Sequence, residues 1–289
     1  MKYFVLIFLF LNFCFESSFA QEKQAFKLFN KEGKSADYQK MITELAKADV
    51  VLFGEMHDNS INHWLELQVA KDLYAINPKL TLGFEMFEAD NQLVLNEYLT
   101  GVIEERHLLS EAKVWDNYKN DYKPLIEFCK AQKLNAIATN VPRRYANLVY
   151  RKGIEALTTL PEEARQNIAP LPIEIDLELP GYKNMISSMG GHGGPGSGEN
   201  MARSQAVKDA TMAHFIIQNM KEGVFIHYHG AYHSQNFEGI YHYLKKAKPS
   251  LKIVTIHPVS QDAIDKLNDE NKNTADYIIA IPADMTKTY

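Results

Sequence analysis

Asp49 to Asn59 read DVVLFGEMHDN. Apart from its first position, Asp49–Phe53 is an unbroken apolar run, ended by Gly54. A run of this kind and length is what a strand covered on both faces requires. Glu55, His57 and Asp58 follow at once. Asn59 or Ser60 can then cap a helix that carries Ile61, Trp64, Leu65 and Leu73 and stops before Pro78. A strand, a polar turn and a helix in that order open a crossover unit.

The same grammar recurs outward from this stretch. Lys79–Phe84 (KLTLGF), Asn135–Thr139 (NAIAT), Gly223–His227 (GVFIH), Leu251–Ile256 (LKIVTI) and Tyr277–Ile281 (YIIAI) read as further buried strands. Helical patterns separate them, among them Lys119–Lys133 and Glu199–Lys221, the second ending at Gly223. Strands alternating with helices predict an α/β fold, a mostly parallel sheet flanked by helices. From Tyr145 to Asn200 no strand pattern occurs, and Pro161, Pro170, Pro172 and Pro180 break the segment into short pieces. This region, about 145–200, reads as a helical insertion or lid within a single domain spanning 21–289. Gly190–Gly198 (GGHGGPGSG) admits two readings, a flexible linker or a mobile flap carrying His192. It is not a phosphate loop, because no Gly-Lys-Ser/Thr follows.

The first residues read as an export signal. Lys2 is a short basic region, Tyr3–Phe15 is apolar except for Asn12, and Ser17-Ser18-Phe19-Ala20 ends in the small residue that signal cleavage needs. Residues 1–20 are expected to be removed, leaving a periplasmic or membrane-associated chain. The apolar run is about 13 residues, short of the roughly 20 that span a bilayer. Phe13 before Cys14 argues against lipid attachment, which wants a small residue there. The net charge of −5 gives no electrostatic footprint for nucleic acid. Beyond Cys14 only Cys129 remains, within an apolar helical pattern, so neither an internal disulfide nor a cysteine metal site is available.

In a parallel sheet, ligands bind outside the carboxyl ends of the strands. The strand ends here deliver Glu55 and His57, then Glu85, then Asn140 with Arg143 and Arg144, then His227, His229 and His233, and finally His257. Glu55 and Glu85 each follow a buried run directly, where a carboxylate is costly unless it is bonded. Each is a metal ligand, a general base or a structural acceptor of backbone N–H groups. His57 is read as functional. His63, about a turn and a half into the helix, is read as structural. Glu55, His57, Glu85, His229 and His233 form a compact set that suits a divalent metal. Gln205, Asp209 and Met212 share one face of the long helix, and the two polar residues are assigned to the site. No His-Glu-x-x-His or Gly-x-Ser-x-Gly motif occurs.

Five of these stretches together resemble the ChaN-like family of haem-binding, iron-regulated proteins. They are Gly54–Asn59, Gly83–Phe87, Asn140–Pro142, Arg203–Ala213 and Gly230–His233. The wider superfamily includes erythromycin-esterase-like and Tiki-type proteins. The resemblance implies an exported protein of haem or iron uptake, fed by an outer-membrane haem receptor, with tyrosine ligation and homodimerisation on haem binding. Ferric iron suits a phenolate, and Tyr182, placed after Pro180-Gly181 in what reads as an exposed turn, is the expected ligand. His192 is the expected second contact, and Arg143 and Arg144 are the expected propionate partners. The rival reading is a metal-dependent hydrolase working through Glu55, His57, Glu85 and His233.

Overall fold

A computed structural model describes residues 23–189 and 196–289. In chain order the elements are β1 (Lys27–Asn30), α1 (Tyr38–Leu45), β2 (Val50–Glu55), α2 (Ser60–Ile76), β3 (Leu80–Glu88), α3 (Gln92–Leu99), α4 (Glu105–Glu111) and α5 (Lys123–Gln132). Then come β4 (Asn135–Asn140), α6 (Arg143–Lys152), α7 (Glu162–Arg165), α8 (Pro180–Met189), α9 (Ser197–Asn219), β5 (Val224–Gly230), α10 (Ile240–Ala247), β6 (Ile253–Gln261) and β7 (Tyr277–Pro282). The seven strands form one sheet in the order β1-β7-β6-β2-β5-β3-β4. Every pairing is parallel except β1 with β7.

All six strands expected from the sequence are present. Their continuous apolar runs are explained by cover on both faces. On one face Val51, Phe53, Leu82, Phe84, Ile226 and Tyr228 meet Leu65, Val69 and Leu73 of α2 and Leu125, Ile126 and Cys129 of α5. On the other, Val50, Leu52 and Phe225 meet Met212, Ala213 and Ile216 of α9 and Ile240 and Leu244 of α10. Each such side chain contributes about 1.5–3 kcal/mol when buried. Asn59 caps α2 as expected, accepting from the backbone N–H groups of Ile61 at 3.0 Å and Asn62 at 3.1 Å. Trp64 of α2 is 51% exposed and meets Phe26.

Two features shape the rim. β3 does not end at Phe84. It runs on to Glu88, and its register against β4 shifts between Phe84 and Glu88. Such an irregularity re-aims side chains at a strand end. Gly83 lets β5 approach, since a Cβ there would fall 2.5 Å from Phe225 and 2.8 Å from His227. Between α6 and α9 the described residues contain helices and turns but no strand. The expected signal segment and His192 lie outside the described residues. Among those described, no helix is long and apolar enough to cross a membrane.

Candidate functional site

β2, β5, β3 and β4 are neighbours in the sheet and run in one direction, so their carboxyl ends share an edge. A cleft of about 820 Å³ opens there. Its floor holds Glu55, His57, Glu85, Gly230 and His233, with Asn140 at one side. α6 and α9 form walls, through Arg143, Asn147 and Tyr150 from the first and Gln205 and Lys208 from the second. Trp115, Met56, Met185 and Met201 supply apolar surface.

The floor is built from two histidine–carboxylate pairs. His57 Nδ1 donates to Glu55 Oε1 at 2.7 Å, and Tyr122 donates to the same oxygen at 2.7 Å. The His57 ring rests edge-on against Trp115 and its side chain is 37% exposed. Burial opposes a charge on His57, but Glu55 and Glu85 outweigh it and raise its pKa. In the second pair His233 lies between two acids, with Nδ1 2.6 Å from Asp209 Oδ1 and Nε2 3.3 Å from Glu85 Oε1. Burial again works against the charge, yet Glu85 and Asp209 lift the His233 pKa to about 10. Glu85 is buried too, but His233, Lys208 and His57 hold its carboxyl well below the usual range.

Gly230 joins the pairs. Its N–H donates to Glu85 Oε2 at 2.8 Å, and a Cβ there would stand 2.7 Å from His57 Nε2. Only a residue without a side chain leaves both pairs in place.

The structure therefore gathers Glu55, His57, Glu85, His233, Asn140, Gln205 and Arg143 at one cleft. Asp209 reaches it only through His233. His229 does not reach it. It is buried behind the floor, its Nδ1 faces His227 Nδ1 at 3.0 Å, and its Nε2 has no partner. Burial, reinforced by His233, lowers its pKa to about 3, so it is neutral. The five residues expected to share one ion thus form two separate pairs and a bystander. Among the described residues, the grouping with mutual ligand distances is Glu55, His63 and Glu66. His63, read from sequence as merely structural, belongs to it.

Two haem-ligand expectations need correction. Tyr182 is not in an exposed turn. Pro180 begins α8, a position proline favours because its missing N–H would be unpaired there anyway. Tyr182 is consequently buried, and its hydroxyl donates to Asp209 Oδ2 at 2.7 Å. Burial and Asp209 push its phenol pKa far up. Arg144 turns away from the cleft to Asp90 at 2.7 Å and lies over the Tyr145 ring. The cleft instead presents Tyr150, Tyr232 and Lys208. Arg143, Asn147 and Tyr150 share a helix face at spacings of four and three, a signal legible in the sequence once α6 is recognised as a wall. Tyr232, which follows a buried strand, is 36% exposed.

Residues 41–244 match the family pattern described as haem-binding uptake, Tiki superfamily, ChaN. A solved structure of ChaN of Campylobacter jejuni, described as binding heme cofacially, is similar in fold with TM-score 0.68 at 18% identity. The likeness covers 90% of this chain and 98% of that one. A Bacillus cereus protein is similar with TM-score 0.50 at 9% identity, over 89% of this chain and 95% of that one. Among curated proteins, Arabidopsis thaliana RETICULATA-RELATED 5, chloroplastic, is 23% identical over 205 residues. That match takes in 65% of this chain and only 27% of the plant protein.

Proposed function

Because this chain belongs to the haem-binding uptake (ChaN) family of the Tiki superfamily, we propose that the strand-end cleft binds haem. One observation carries the reading: every residue lining the cleft falls inside the matched span 41–244. The chemistry of the walls suits such a ligand. Trp115, Met56, Met185 and Met201 offer apolar contact to a flat macrocycle, while Arg143 and Lys208 offer cations to its propionates.

The floor histidines are poor iron ligands, since both ring nitrogens of His233 face carboxylates and His57 Nδ1 is taken by Glu55. A phenolate at the wall is the better donor for ferric iron. Tyr232 is disfavoured because burial, Asp209 and Glu238 raise its pKa. Tyr150 is therefore the first choice. It stands two helical turns from Arg143, about 10 Å along α6, which lets one helix face serve both the iron and a propionate.

The apparent export signal in residues 1–20 supports a place outside the cytoplasm, in an uptake system fed by an outer-membrane receptor. The cleft is open, and the reading includes a second copy that closes it over a second haem as a homodimer formed on loading. Haem titrated into the purified chain tests the central claim. A saturable visible spectrum at one haem per chain supports it, and no saturation at micromolar haem overturns it. The hydrolase reading draws on the Glu55–His57 and Glu85–His233 pairs. Ester or amide turnover by the haem-free chain, abolished in His57→Ala, would favour it instead.

A further inference from the structure

Glu55 turns its two oxygens to different sides. Oε1 serves His57 and Tyr122 at the cleft. Oε2 is buried without a hydrogen-bond partner, 3.8 Å from His63 Nδ1. The same ring nitrogen lies 3.3 Å from Glu66 Oε2, and Glu66 Oε1 is also buried without a partner. Glu55, His63 and Glu66 are 2%, 5% and 0% exposed, so bulk water does not reach these groups. Leaving buried carboxylate oxygens unpaired is unfavourable, because they have given up water without gaining a donor. Glu55 and Glu66 stand within side-chain hydrogen-bonding reach of each other, so something, a shared proton or a cation, must lie between them.

The other side of His63 indicates what. Nε2 lies 3.1 Å from the His57 carbonyl oxygen and 3.6 Å from Asp121. An acceptor on one ring nitrogen fixes the tautomer and leaves the other as a ligand, the arrangement found around metal-bound histidines. The three ligand atoms lie within 4.8 Å of one another. An ion about 2.0–2.2 Å from each ligand in a tetrahedral site separates them by about 3.4 Å, against the 3.3 and 3.8 Å that His63 Nδ1 keeps from Glu66 and Glu55.

We propose that Glu55, His63 and Glu66 form a buried divalent-cation site beneath the cleft, of the nitrogen-and-oxygen type that suits zinc. A water completes the coordination. Glu55 is then shared, with one oxygen on the ion and the other on His57. The site depends on β2 and α2 alone and stands whether or not haem binds.

The test uses the full, haem-free chain stripped with a chelator and titrated with Zn²⁺, with bound metal counted after dialysis. One equivalent per chain is expected. Glu66→Gln and His63→Gln should each lower affinity at least tenfold, whereas His57→Ala and His233→Ala should retain the metal. The idea is overturned if the parent binds no zinc, if Glu66→Gln and His63→Gln bind like the parent, or if the cleft variants alone lose the ion. X-ray absorption at the zinc edge of the parent guards against misfolded variants. One imidazole with oxygen ligands supports the site, and two or more imidazoles place the ion elsewhere and overturn it.

Discussion

Glu85 Oε1 stands 3.3 Å from His233 Nε2, and the contact ties β3 to the turn after β5. Asp209 of α9 holds the opposite ring nitrogen at 2.6 Å, and Tyr182 of α8 holds Asp209 at 2.7 Å. Four elements thus meet through one buried imidazole. Removing one partner from such a set leaves a buried charge uncompensated, which typically costs about 3–5 kcal/mol.

The sign of the resulting pH dependence follows from the two shifts. His233 is raised to about 10 in the folded chain, against about 6.5 when unfolded. Its contribution is complete below about pH 6.5 and is lost as pH rises through about 10. Glu85 is depressed, so its contribution is complete above the ordinary carboxylate range and is lost as pH falls below it. In the metal-free chain His63, lifted to about 10 by Glu66, Glu55 and Asp121 against the effect of burial, adds to the alkaline limb. Urea unfolding should show a plateau near pH 5–6.5 and a decline toward pH 10. His233→Gln should be less stable at pH 6 and should decline less steeply above pH 7. A slope equal to the parent's would contradict the assignment.

Haem ligation separates the tyrosines. Tyr150→Phe should shift the visible spectrum and weaken binding at least tenfold, whereas Tyr182→Phe should leave the spectrum unchanged and lower stability through the lost bond to Asp209, by about 1–3 kcal/mol. Absorption titration of the two variants side by side decides. A parent-like Tyr150→Phe spectrum would end the proposal for that residue.

The contrast between these tyrosines also marks what the sequence could reveal. Strands β2 to β7 were legible because cover on both faces demands near-continuous apolar runs. β1 was not, since its four residues pair antiparallel at the sheet edge and bury only Leu28 and Phe29. The convergence of Glu55, His57, Glu85 and His233 at one cleft was legible because parallel strands bring their carboxyl ends to one edge. Tyr182 was misplaced because Pro-Gly suits a turn and a helix start equally. His63 and Glu66 were passed over because i, i+3 neighbours on a helix become a site only when Glu55 arrives from β2. That convergence is tertiary and leaves no local periodicity.

The propionate contacts can be tested with the ligand as well as the protein. Arg143 and Lys208 line the cleft, whereas Arg144 is held by Asp90. A charged hydrogen bond is worth about 1.5–3 kcal/mol, roughly tenfold or more in affinity. Arg143→Gln and Lys208→Gln should each weaken haem by about that factor, and Arg144→Gln should not. The dimethyl ester of haem lacks carboxylates, so its binding should be nearly blind to all three changes. An equal loss for haem and its ester would show that the cations act on folding rather than on the ligand.

Gly230 offers the sharpest probe of the floor. Its φ of −53° is one that alanine adopts freely, so Gly230→Ala carries no backbone strain. The new methyl, however, would stand 2.7 Å from His57 Nε2, 2.9 Å from His57 Cε1 and 3.6 Å from Glu85 Oε2. His57 must swing out and leave Glu55, which is then buried with one fewer partner. Overpacking of this kind costs about 1–3 kcal/mol. The clash is specific to one neighbour, so His57→Ala should relieve it. In a double-mutant cycle measured by urea unfolding, Gly230→Ala should cost less in the His57→Ala background than in the parent. The difference should be about 1 kcal/mol or more, beyond the scatter of independent sites. Additive effects would mean that the methyl is accommodated by moving the strand instead, and that His57 is not fixed by Gly230.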